Sequence, residues 1–222
     1  MMRDMFATIA PRYDFITRVF SYGMDRRWKR HAVECAALPA GATVLDLASG
    51  TGDFSRLVSE RHPAARAIAA DLTERMLRLA ALPECVCADA ASLPFPANYF
   101  DAVFIGYGLR NFPTLECVLC EVRRVMRPGG VIVSLDFFLP ERRALRWFYL
   151  SYLYVQGAVW GLLLHGRPRI YTYIPDSLRS FLTASEFSAL LRKAGFPDVE
   201  AHTFLFGGIA LHWAKAAADD IR

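Results

Sequence analysis

The sequence has no internal repeat, no low-complexity linker and no even framework of cysteines. Without a linker or a repeat, residues 1–222 read as a single domain, long enough to bury a substantial core. Five cysteines cannot all pair, and Met1 to Arg12 lacks the continuous apolar core of a secretory signal. Both features point to a reduced, cytoplasmic protein. Charge is also modest. Charged residues are 22% against 54% hydrophobic, a balance too apolar for disorder. The net charge of +4 comes largely from clusters such as Arg26, Arg27, Lys29, Arg30 and Arg142, Arg143, Arg146. This excess permits an anionic membrane surface without demanding one.

The pairs Cys85-x-Cys87 and Cys117-x-x-Cys120 fall on an expected strand and an expected helix. Neither lies in the tight knuckle that four-thiolate zinc sites prefer, so no metal is expected. These thiols are expected to be buried, filling core space as free cysteines usually do.

What the chain does have, from Thr43 onward, is alternation. Val44 to Ala48, Ala67 to Ala70, a run centred on Val86, Ala102 to Ile105 and Val131 to Phe137 read as strands. Helical periods lie between them, most clearly in Thr114 to Arg127, where Leu115, Val118, Leu119, Val122 and Met126 share a face before Pro128-Gly129-Gly130. Ser185 to Ala194 reads as a further helix, and Gly207 to Ala214 as the final strand. Strand and helix in turn predict a doubly wound α/β sheet of the Rossmann-like kind. Two parts stand outside the alternation: an N-terminal helical cover, 1–38, and an insertion after strand five, 142–183.

In an open α/β sheet, ligands bind beyond the carboxyl ends of the strands, beside the first strand. That end reads Asp46-Leu47-Ala48-Ser49-Gly50-Thr51-Gly52-Asp53. The glycines allow a tight turn and close backbone approach. Such a turn also serves dinucleotides, but Asp46 and Asp53 flanking it would repel a pyrophosphate. They suit a ligand with a sulfonium, an ammonium and one carboxylate, which is S-adenosyl-L-methionine. Asp71 ends the second strand, about twenty residues on, where an acid accepts from both ribose hydroxyls. Asp89, before Ala90, ends the third strand where an acid meets the adenine amino group. Each aspartate alone is an ordinary strand-end or helix-cap residue; three at successive strand ends, with the glycine turn, make a site.

These residues and others resemble the ubiquinone/menaquinone biosynthesis C-methyltransferase family, the UbiE/MenG type. The matching stretches include Met5-Phe6 through Arg12-Tyr13-Asp14, Ser21 to Trp28, Val44 to Asp53 and Gly108-Leu109-Arg110-Asn111. They continue through Arg124 to Gly130, Ala194-Gly195-Phe196 and Gly207 to His212, covering nearly the whole chain. The resemblance implies a class I methyltransferase that methylates a ring carbon of a prenylated hydroquinone. It implies cofactor contacts at Thr51, Asp71, Leu72 and the Asp89-Ala90 pair. Gly106 stands where relatives carry a serine contact, so backbone must serve there. Thr17 stands where many members have asparagine, and Pro113 is a further departure.

A neutral hydroquinone carbon is a modest nucleophile, and its phenolate a far better one. The enzyme must therefore favour loss of a phenolic proton with a pKa of about 10. Arg110, just past strand four, is expected beside the reacting methyl, stabilising the phenolate while water takes the proton. Asn111 is expected to orient the second oxygen. Tyr13, Tyr22 and Trp28 in the cover are expected to stack on the ring, and His165, His202 and His212 to be structural.

Trp147 to Leu164 runs eighteen residues without a charge, near the length of a short membrane span. A single crossing would divide one sheet across a bilayer, so a span is rejected. The expectation is a greasy wall for a polyprenyl tail, with Arg142, Arg143, Arg146, Arg167 and Arg169 docking it on a membrane surface. A buried lid helix is the alternative. Naphthoquinol and benzoquinol both remain open as acceptors; the short N-terminus, with Phe6 a few residues in, favours the menaquinone pathway. Other readings are a different small-molecule acceptor and a cofactor-binding scaffold without catalysis. The apolar stretch between the basic clusters argues against a nucleic-acid partner. Oligomerisation is left open.

Overall fold

The structure is a computed structural model and describes residues 13–168 and 171–218. The side chains of Tyr13, Asp14, Ile16 and His165 lie outside the described residues, as do the first part of the expected cover, Met1 to Arg12, and Arg169.

Among the described residues, two helices, α1 (Tyr13–Phe20) and α2 (Asp25–Cys35), precede β1 (Thr43–Leu47). There follow α3 (Asp53–Arg61), β2 (Arg66–Asp71), α4 (Glu74–Ala80), β3 (Cys85–Cys87) and β4 (Phe100–Gly106). A 3-10 turn, Leu109–Asn111, leads to α5 (Leu115–Val125) and β5 (Met126–Phe137). The insertion is α6 (Arg143–His165) and α7 (Tyr173–Leu178), after which come α8 (Ala184–Lys193), β6 (Val199–Phe204) and β7 (Ile209–Lys215). The strands make one seven-stranded sheet in the order β3-β2-β1-β4-β5-β7-β6. β1 to β5 pair parallel and β7 pairs antiparallel to both β5 and β6.

The register explains the apolar runs. Val44, Phe104, Val133 and Leu135 face one buried layer, with Phe20, Trp28 and Phe54; Leu45, Leu47, Val103, Ile105 and Ile132 face the other, with Leu119, Val122 and Phe187. Covered on both sides, the central strands carry hydrophobic residues on both faces.

The alternation expected from the sequence is present. α5 stops at Val125, two residues before the expected Arg127. Met126 is already extended and pairs with Phe100, and the residue that Pro128 biases toward extended backbone, Arg127, follows it within β5. β6 has an exposed, largely polar pattern that offers no apolar run to find.

The cysteine expectation is corrected. Cys85, Cys87, Cys117 and Cys120 are exposed and free, and Cys35 is half-buried. β3 is an edge strand with exposed ends, and Cys117 and Cys120 lie on the outward stripe of α5, opposite Val118, Leu119 and Val122.

Candidate functional site

The carboxyl ends of β1 and β4 carry matched backbone features. Ala48, just after β1, has φ 54°, and Tyr107, just after β4, has φ 57°. Both are left-handed conformations that side chains resist, and such residues gather at ligand sites. Between them the glycine turn opens α3. Gly50 and Gly52 have φ 54° and 84°, and a Cβ on Gly52 would collide with the side chain of Leu82.

A cavity of about 210 Å³ lies over the ends of β1 and β2. Of the expected cofactor residues, Gly50, Asp71, Leu72, Asp89 and Ala90 line it, as does Asn111 of the expected catalytic pair. Asp71 accepts from the Gly50 N–H at 2.9 Å and the Thr73 N–H at 2.7 Å, which ties the second strand to the glycine turn. Burial pushes its carboxyl above the usual range, against those two bonds. Asp89 accepts from the Ala91 N–H at 2.9 Å and is otherwise exposed.

A second, narrow cavity shares Ala48 and Tyr107 as walls and is lined also by Lys29, Asp46, Thr51, Asp53 and Gly106. Asp46 is buried and accepts from both the N–H and the hydroxyl of Ser55 at 2.8 Å, bracing the first turn of α3. Burial raises its pKa to about 6, partly offset by the Ser55 bonds. Gly106 cannot carry a side chain without a shift, because a Cβ there would lie 2.8 Å from the Phe54 ring. Gly52 lines neither cavity and serves the turn alone.

Two expectations change. Arg110 does not line the cavity where the expected cofactor residues meet. Its Nε donates to Asp136 Oδ1 at 2.9 Å, its terminal nitrogen donates to Ser177 Oγ at 3.3 Å, and its guanidinium lies 5.0 Å from the Phe137 ring centre. Asp136, at the end of β5, also accepts from the Leu109 and Phe137 N–H groups, so a fully buried carboxylate holds the arginine in place. Trp28 is not available to a substrate ring: it is 2% exposed and stacks on Phe204 at 4.8 Å, because α2 turns this face onto the sheet. Tyr13 has its side chain outside the described residues. Tyr22 is exposed, stacked on Tyr152 at 5.9 Å beside an apolar hollow of about 300 Å³ formed with Tyr149, Phe148 and Phe206.

Sequence reasoning missed Asp136, Lys29 and Tyr107. The signal for Asp136 was a lone acid in an otherwise apolar strand, and buried acids are rarely without a partner. Lys29 and Tyr107 left no comparable signal, since their meeting is tertiary: Lys29 lies 5.4 Å from the Tyr107 ring centre. The structural roles expected of two histidines agree with their places. His212 is buried in β7 with Nε2 at 3.0 Å from the Ala184 carbonyl, and His202 lies on exposed β6, stacked on Phe204.

The donor set fits the expected cofactor. Asn111 Oδ1 and Ser49 Oγ are buried without a hydrogen-bond partner among the described residues, one in the wall of each cavity. Buried polar atoms are normally satisfied, so these two await a polar ligand.

The insertion helix α6 is amphipathic in an unusual sense. Leu153 enters the core and Tyr149 donates to the Gly208 carbonyl at 2.7 Å, while Trp147, Phe148, Val155, Val159, Leu162 and Leu163 are exposed. Among the described residues no helix is long and apolar enough to cross a membrane.

Comparison with known proteins agrees with this architecture. The model of the ubiE/COQ5 methyltransferase family matches residues 1–216. The chain is 39% identical to a demethylmenaquinone methyltransferase of Thermus thermophilus, over 94% of this chain and 98% of that protein. It is 38% identical to the ubiquinone/menaquinone biosynthesis C-methyltransferase UbiE of Geobacter sulfurreducens, over 93% and 84%. Among solved structures, a methyltransferase of Thermotoga maritima superposes with a TM-score of 0.69 over 96% of this chain and 99% of that one, at 18% identity, which shows the shared fold.

Proposed function

This chain belongs to the ubiE/COQ5 methyltransferase family, and from that premise we propose that it methylates a ring carbon of a prenylated hydroquinone, demethylmenaquinol foremost. The observation that carries this reading is the cavity over β1 and β2, where Asp71, Asp89 and the partnerless oxygen of Asn111 converge. Bound there, S-adenosylmethionine supplies an electrophilic methyl group. Asp71, held by the Gly50 and Thr73 N–H groups, would receive the ribose hydroxyls, and Asp89, in the same cavity wall, would meet the adenine end.

The chain's own task is to present an electron-rich ring carbon. Asn111 sits on the 3-10 turn that follows β4, and its amide holds the phenolic oxygen while the proton leaves to water. Arg110 acts as a positioning residue. Its pairing with Asp136, together with the Leu109 N–H bond to the same carboxylate, clamps the turn that carries Asn111. Tyr22 and Tyr152 offer an apolar wall for the prenyl tail. The chain is read as one methyltransferase domain, with α1 and α2 as cover and α6 and α7 as substrate lid.

The exposed stripe of α6 supports peripheral docking on a membrane, where such a substrate resides. Its apolar residues fall on one side, and exposed Arg142, Arg143 and Arg167 stand at its ends.

The benzoquinol reading is favoured by the relatives whose names cover both pathways. Assay of the purified protein with demethylmenaquinol, the corresponding benzoquinol and unrelated phenols tests the proposal. Preferred turnover on the naphthoquinol is expected. Quinone profiling of a strain lacking the protein should show the demethylated species accumulating; an unchanged profile would overturn the assignment.

A further inference from the structure

Lys29 is one of three lysines in the chain and is 4% exposed. It comes from α2, in the cover, and its Nζ donates to Asp25 Oδ2 at 2.8 Å and to Asp53 Oδ2 at 2.5 Å. Asp25 belongs to α2, whereas Asp53 is the first residue of the helix that the glycine turn opens. Tyr107 completes the cluster by donating its hydroxyl to Asp25 at 2.8 Å.

An ammonium has three N–H bonds, and two are assigned here. Burying a lysine is costly, and two acids are more than enough to neutralise it. The surplus is negative, with Asp46 adding to it on the other wall of the narrow cavity. That cavity also contains the partnerless Ser49 hydroxyl. One cation among several anions, with an unsatisfied hydroxyl, is the complement of a zwitterion bearing an extra positive charge.

We propose that Lys29 is a cofactor-binding residue whose ammonium receives the α-carboxylate of the amino-acid tail of S-adenosylmethionine, with Asp46 and Asp53 facing its ammonium. The N-terminal cover thus completes the cofactor site as well as covering the acceptor. This inference rests on the cofactor reading above. A lysine that served only to join α2 to α3 would be indifferent to the tail carboxylate.

The test is calorimetric titration with S-adenosylhomocysteine and with its carboxyl methyl ester, which keeps the amine and removes the anionic charge. In the wild-type protein, esterification should weaken binding about tenfold or more, the scale of one charge-assisted hydrogen bond. In Lys29→Met the acid and the ester should bind alike, within about twofold, because a real contact makes ligand and protein changes non-additive. An undiminished preference for the acid in Lys29→Met overturns the proposal. Should that variant fail to fold, ¹⁵N-lysine spectra of the unaltered protein replace it. The Lys29 Nζ signal is expected to shift with S-adenosylhomocysteine and to stay in place with methylthioadenosine, which lacks the tail; identical behaviour with both ligands overturns the proposal. A wild-type protein that binds none of the three removes the cofactor reading itself, and this inference with it.

Discussion

The guanidinium of Arg110 meets Asp136 across 2.9 Å with the two side chains 2% and 0% exposed. The arginine that the sequence offers to the reacting ring is thus committed to a carboxylate of the neighbouring strand. Burial pushes Asp136 upward while Arg110 pulls it down, so the two groups depend on one another.

Removing one partner of such a pair is far more damaging than removing both. Arg110→Met should lower stability by about 3–5 kcal/mol, because Asp136 is left buried without its charged partner. Arg110→Met with Asp136→Leu should recover most of that loss in urea denaturation. Turnover should stay low in both variants, since the turn bearing Asn111 is no longer clamped, while cofactor affinity changes little. Normal turnover in the double variant would show that the pair serves stability alone.

Asp46 should make cofactor binding depend on pH. Burial raises its pKa to about 6, so the free protein holds a proton there in mildly acid solution. A ligand with a sulfonium and an ammonium favours the carboxylate, and binding must release that proton. Affinity should therefore rise as pH rises through about 6. Calorimetry in buffers of different ionisation enthalpy should find proton release near that pH and none in Asp46→Asn. The stability effect runs the other way: a carboxyl raised from 3.8 contributes most below that value and loses its contribution as pH climbs to about 6.

His212 should show the opposite slope. Desolvation lowers its pKa from 6.5 to about 4, and the Ala184 carbonyl only partly counters this. Between those values the unfolded chain binds the proton and the folded chain does not, so stability falls as pH falls from about 6.5 to about 4. The shift corresponds to about 3 kcal/mol. Denaturant midpoints for wild type and His212→Leu, compared at neutral and acid pH, should converge in acid; parallel profiles would refute the assignment.

The stripe on α6 should bind lipid. Trp147 and Leu163 are each 68% exposed, and replacing both with serine should weaken binding to anionic vesicles tenfold or more, by about 1.5–3 kcal/mol for each large side chain withdrawn. Thermal stability should be unchanged because neither residue supports the core. Wild-type binding should fall with added salt, as the flanking arginines require. Salt-independent binding, or none at low salt, would remove the membrane from the proposal.

Much of this protein was legible before folding. The strands β1, β2, β4 and β5 are covered on both faces, so each is an apolar run that needs no tertiary information to find. The glycine turn and the aspartates at 46, 71 and 89 could be placed because a doubly wound sheet delivers its strand ends to one edge. Local periodicity served α5 and α8 equally well. It failed where exposure depends on neighbours: the cysteines of β3 and α5 look like core thiols in a linear pattern, yet one strand is at an edge and the other pair faces outward. Trp28 shows the reverse, an aromatic of the cover that the sheet takes inward.

By itself, then, the sequence determined the layered fold, the position of the glycine turn and the chemistry of its acids, because backbone geometry and strand-end placement are local or nearly so. Tertiary structure alone decided which charges meet. Asp136 lies 26 residues from Arg110, and Asp53 lies 24 from Lys29, and no periodicity links them. Pairing of buried charges is imposed by desolvation once strands and helices have packed, and so the roles of Arg110 and Lys29 appear only in the folded chain.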